Sequence, residues 1–92
     1  MSVGVKDASL KPLGYEQISA PATSTALTVP TGARYALIKV SVACRWRDDG
    51  QDPTAAIGMT IDAGDEFWYA GHLPAFRIIQ TAASVVDVAY YR

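Results

Sequence analysis

Between Tyr35 and Arg47 the side chains sort into one wholly apolar column and one mixed column at alternate positions, and this run limits the possible folds more than any other part of the chain. Ala36, Ile38, Val40, Val42, Cys44 and Trp46 fall in one column, and Tyr35, Leu37, Lys39, Ser41, Ala43, Arg45 and Arg47 in the other. Successive side chains on a strand point to opposite faces, so strict alternation predicts a strand with one buried side. The β-branched content of the column agrees. About a dozen residues is long for one strand, so a bulge or bend is expected near Ser41.

The remaining chain reads as further short strands separated by turn signals. Tyr15–Ile18 is ended by Ala20-Pro21, and Thr25–Val29 runs into Pro30-Thr31-Gly32. That triplet fits a type I turn with proline second and glycine fourth. Asp48-Asp49-Gly50-Gln51-Asp52-Pro53 is a turn cluster, because Asp tolerates left-handed backbone and Gly favours it. A strand over Ala55–Ile61 groups Ile57, Met59 and Ile61 on one face. Asp62-Ala63-Gly64-Asp65 is expected to close a hairpin onto Glu66–Tyr69, and Ala75–Ile79 and Val85–Tyr91 complete the set. In the last strand Val86, Val88 and Tyr90 oppose Val85, Asp87, Ala89 and Tyr91.

These are about seven strands with links too short for crossover helices, which predicts a mostly antiparallel all-β fold. A two-sheet sandwich or a small jelly-roll-like barrel is the economical architecture. Residues 1–13 are polar and aperiodic and read as an extended N-terminal arm, followed by a single domain over residues 14–92.

A chain of 92 residues is one domain, yet 50% of its residues are apolar. A small core hides only part of that surface, so association with copies of itself or with a larger body is expected. Eight basic residues balance nine acidic ones, and the basic ones concentrate only at Arg45-Trp46-Arg47, followed at once by Asp48 and Asp49, which leaves no electrostatic footprint for nucleic acid or a membrane surface. Cys44 is the only cysteine, so no disulfide forms within the chain. Folding in a reducing cytoplasm fits this composition. The first ten residues lack the basic start and apolar core of a signal peptide.

Candidate chemistry is thin. His72 is the only histidine and sits in Gly71-His72-Leu73-Pro74, away from any nucleophile motif. Zinc needs three or four ligands, and Cys44 lies in an apolar column. Asp48, Asp49 and Asp52 lack the spacing of a calcium loop and read as a solvated turn. Asp65 and Glu66 are adjacent on a strand start and point apart, which is poor geometry for acid–base work. The expectation is a non-enzymatic protein without cofactor or metal.

The aromatic residues carry more information. Phe67-Trp68-Tyr69 are consecutive, as are Tyr90-Tyr91, so strands bearing them are aromatic on both faces. In a sandwich only one face of each strand is interior. Tyr35, Leu37, Phe67, Trp68, Tyr69 and Tyr91 are therefore candidates for a protein interface, since aromatic residues anchor such contacts. Stacking on a carbohydrate is the competing use.

Several segments together resemble small β-proteins from tailed-bacteriophage structural gene regions. They are Leu27–Ile38, Arg45-Trp46-Arg47-Asp48-Asp49-Gly50, Pro53-Thr54-Ala55, Gly58-Met59 and Phe76-Arg77-Ile78-Ile79-Gln80. The resemblance spans about residues 25–91 and rests on turn-and-strand features rather than catalytic signatures. It implies a virion component, best matched in size by a capsid decoration or cement protein. Such a protein would bind the major capsid protein at the capsid surface as a dimer or trimer, after assembly in the host cytoplasm. A receptor- or carbohydrate-binding module of a tail or fibre, and a head–tail connector or tail component, are the alternatives. No family-defined binding residues carry over.

Overall fold

The computed structural model describes residues 10–92. Among the described residues eight strands make two antiparallel four-stranded sheets. They are β1 (Pro12–Ser19), β2 (Thr25–Ala26), β3 (Tyr35–Val40), β4 (Cys44–Arg47), β5 (Met59–Ile61), β6 (Phe67–Tyr69), β7 (Arg77–Gln80) and β8 (Val85–Tyr91). The first sheet has the order β1-β8-β3-β6 and the second β2-β7-β4-β5. One short 3-10 turn, Leu73–Ala75, precedes β7. The chain is thus sandwich-like.

The eighth strand arises where a single long one was expected. Tyr35–Arg47 breaks at Ser41, so that β3 lies in the first sheet and β4 in the second. Strands that change sheet at a corner are a standard way to join two packed layers. Ala36, Ile38 and Cys44 are fully buried and Val40 nearly so, whereas Val42 at the corner is exposed. The apolar column therefore faces the core from both layers. Ser84 pins the corner: its hydroxyl donates to the Val42 carbonyl at 2.8 Å and accepts from the Val42 N–H at 3.1 Å. Ser41 Oγ accepts from the Val85 N–H at 2.8 Å, and Thr81 donates to the Ala43 carbonyl at 2.6 Å.

Other expected boundaries move for local reasons. β1 begins at Pro12, inside the expected arm; Leu13 packs on the core, and Lys11 and Arg92 exchange backbone hydrogen bonds of 2.8 and 3.0 Å. Residues 1–9 of that arm lie outside the described residues. The turn after Val29 runs from Pro30 to Ala33, closed by an Ala33 N–H to Pro30 carbonyl bond of 3.1 Å. Gly32, at φ +86°, takes its third position, so it is a type II geometry rather than type I. Asp62–Asp65 does turn the chain, with an Asp65 N–H to Asp62 carbonyl bond of 3.1 Å. It joins β5 to β6 across the two sheets, as an arch rather than a hairpin.

The core comes from the inward residues of both layers: Ile38, Val86, Val88 and Tyr90 from the first, Cys44, Ile61 and Ile78 from the second, with Phe76 between. Fully burying such side chains contributes roughly 1.5–3 kcal/mol each. Trp46 stacks on Phe76 at 5.1 Å and 17°, and meets Phe67 and Tyr69 at 5.3 and 5.6 Å.

A candidate interaction face and a neighbouring cleft

The register of the first sheet sorts the candidate residues by face. On β6, Phe67 and Tyr69 point inward against Trp46, while Trp68 points outward. Trp68 pairs across from Leu37, Leu37 from Ala89, and Ala89 from Tyr15. In the next row Tyr35 lies beside Tyr91. Trp68 and Tyr91 meet over β3 with ring centroids 5.4 Å apart and planes tilted by 45°. Four of the six candidates, Tyr35, Leu37, Trp68 and Tyr91, thus share one outward surface, and Phe67 and Tyr69 belong to the interior.

The face has a polar border. Asp87 lies opposite Lys39 on one side and Gln17 on the other. Its Oδ1 accepts from the Tyr15 hydroxyl at 2.5 Å and from Gln17 Nε2 at 3.1 Å. These bonds, first that of Tyr15, hold the Asp87 carboxyl below its ordinary pKa, and the same contact raises the Tyr15 hydroxyl. Tyr15 is 63% exposed and continues the aromatic strip to the edge strand β1. The residue list drawn from sequence omits it; alternation of Tyr15, Gln17 and Ser19 along β1 is the signal that would have found it. Within the face, the Trp68 indole N–H is buried and meets no acceptor among the described residues.

A second surface lies at the end of the sandwich where β4 finishes. Expected to share one face of a longer strand with Ile61, Ile57 and Met59 are 58% and 61% exposed, whereas Ile61 is buried. The segment Pro53–Gly58 is not a strand, because Arg45 fastens it as a loop: Nε donates to the Ala55 carbonyl at 3.1 Å and Nη1 to the Gly58 carbonyl at 3.0 Å. Gly58 sits at φ +141°, and a Cβ there would come within 3.1 Å of the Trp46 carbonyl oxygen. Only glycine fits that close approach. The loop thereby stands Ile57 beside Met59 and Trp46, enclosing a cleft of about 380 Å³. Its rim carries the Arg47–Asp49 ion pair, 2.5 Å long, and Asp48, whose Oδ2 accepts from the Tyr69 hydroxyl at 2.6 Å. Burial, aided by Asp48, pushes that hydroxyl up to about 12.

The other residues weighed from sequence are dispersed. His72 is exposed in the loop before the 3-10 turn, and Cys44 is buried with its thiol pushed up by burial. No group of three His, Cys, Asp or Glu side chains gathers to hold a metal among the described residues. Asp52 accepts a hydrogen bond from Ser24 at 2.9 Å, and Asp65 from the Asp62 N–H at 3.0 Å. Comparison with protein-family models, with curated proteins and with solved structures returns no match for this chain.

Proposed function

We propose that this chain is a non-enzymatic structural protein that works by adhesion, using the outer face of its first sheet. The observation that carries this reading is the convergence of Tyr35, Leu37, Trp68 and Tyr91, extended by Tyr15, on one side of one sheet. An aromatic surface bordered by polar groups has the anatomy of a protein–protein contact. Coupled with the resemblance to tailed-phage structural proteins, it favours a capsid decoration protein that binds the major capsid protein as a dimer or trimer. A protein that binds only the assembled shell stabilises it by mass action. Near-neutral net charge suits contact with a matched protein surface.

The sugar-binding alternative asks for rings that present one flat platform, and the 45° tilt of Trp68 on Tyr91 speaks against it. The deciding experiment is proteomic and structural: purified virions of the parent phage contain the chain in fixed proportion to the major capsid protein. Added protein then rebinds stripped shells, and Trp68→Ala with Leu37→Glu abolishes rebinding. Absence from purified virions overturns the reading; location at the neck or tail moves it to the connector class.

A further inference from the structure

We propose that the cleft beside β5 docks an extended, basic segment of a partner protein. One bulky apolar side chain of that segment sits between Ile57 and Met59, and its backbone continues along the free edge of β5. The inference stands apart from the proposed function, because it uses the opposite layer of the sandwich.

The cleft is apolar, open and prebuilt. Its walls are the exposed Ile57 and Met59, its floor is Trp46, and about 380 Å³ places it at the small end of ligand sites. Arg45 and the glycine at position 58 fasten the loop against β4, so the space persists without an occupant. Among the described residues β5 is the last strand of its sheet, with β4 on one side and no strand on the other. Extended segments add to such edges, where backbone hydrogen bonds give affinity and an adjoining pocket selects a side chain.

Charge selects the occupant. Six of the nine acidic residues lie between Asp48 and Glu66, a stretch without lysine or arginine. The two preceding arginines are committed, Arg45 to carbonyls and Arg47 to Asp49. Asp48 stands at the cleft end of β5, and Asp62, Asp65 and Glu66 at the arch beyond its other end. A segment with lysine or arginine on both sides of its apolar anchor matches this arrangement, and an acidic one meets like charges.

The test uses the full-length protein and three capped heptapeptides at low salt. One has a central leucine flanked by lysines, one has glutamates for the lysines, and one has serine for the leucine. Fluorescence anisotropy is expected to show binding of the first, with about a tenfold or greater loss for each of the others. Ile57→Ser and Met59→Ser, both at exposed positions and checked by circular dichroism, are expected to weaken it similarly. Amide NMR shifts should gather on Met59–Ile61. Equal binding of the glutamate peptide, unchanged affinity in both variants, no binding at all, or shifts confined to the Trp68 face would overturn the proposal. So would a rise in affinity on deleting residues 1–9, which would make the cleft the seat of this chain's own N-terminal residues. Failure of capsid rebinding leaves this proposal untouched.

Discussion

Glu16 stands on β1 opposite Val88, on the inward side of an edge strand. Its carboxylate accepts the Thr28 N–H at 2.8 Å and a short bond from the Tyr90 hydroxyl. One side chain therefore satisfies a buried phenol and ties the sheet edge to the segment following β2. An inward charge also discourages edge-to-edge pairing. Glu16→Ala is expected to cost about 1–3 kcal/mol in urea unfolding, because it strands both donors. Glu16→Gln, which keeps an acceptor, should lose less. Burial, with Glu16 second, raises the Tyr90 hydroxyl as burial and Asp48 raise Tyr69. A folded pKa above the ordinary value of about 10 means that this stability is complete below pH ~10 and fades as pH climbs. For Tyr69 the loss extends to about 12. Thermal unfolding from pH 8 to 12 should show this decline, and Tyr69→Phe should shrink it while losing the bond to Asp48.

At the scale of elements, the sheet-changing corner between β3 and β4 rests on Ser84, only 4% exposed and distant in sequence. Ser84→Ala leaves the Val42 N–H without its partner and the Val42 carbonyl with only the weak Cys44 thiol donor at 3.4 Å, and a loss of about 1–3 kcal/mol in chemical denaturation is expected. An unchanged midpoint would mean that the Ser41 and Thr81 bonds suffice. The alternation over residues 35–47 picks out the buried Ala36, Ile38, Val40 and Cys44 and the half-buried Trp46, but not the exposed Val42, and the bend near Ser41 is legible from strand length alone. That the bend carries the chain into a second sheet is not, because the period of two is the same whichever layer receives the strand. The strand expected over Ala55–Ile61 forms only as Met59–Ile61, for a different reason. Ile57 is spaced to continue it, but Arg45 and the close approach at Gly58 hold residues 55–58 as a loop instead. Long-range hydrogen bonds outvoted a short local pattern.

For the whole molecule, the proposed association of copies is assigned to the outward side of the first sheet. Leu37 lies between Trp68 and Ala89 in the middle of that side. Leu37→Glu places an unpaired charge at the centre of any contact made there, which costs several kcal/mol when desolvated. Sedimentation velocity is expected to find a dimer or trimer for the native chain and a monomer for the variant, with the same far-ultraviolet dichroism. A native chain that stays monomeric at high concentration defeats the homo-oligomer proposal.

By itself the sequence determined the all-β class, the inward column Ala36 to Trp46 apart from Val42, the split of Val85–Tyr91 between two faces and the surplus of aromatic side chains. Each follows from neighbours a few residues apart. Tertiary structure alone decided that Trp68 turns outward while Phe67 and Tyr69 turn in, since register is set by pairing with Leu37 and a one-residue slip reverses every face. It also decided where Tyr15 joins the aromatic side and where Ile57 and Met59 open a cleft. Those outcomes depend on partners brought together from distant parts of the chain, and local periodicity holds no record of them.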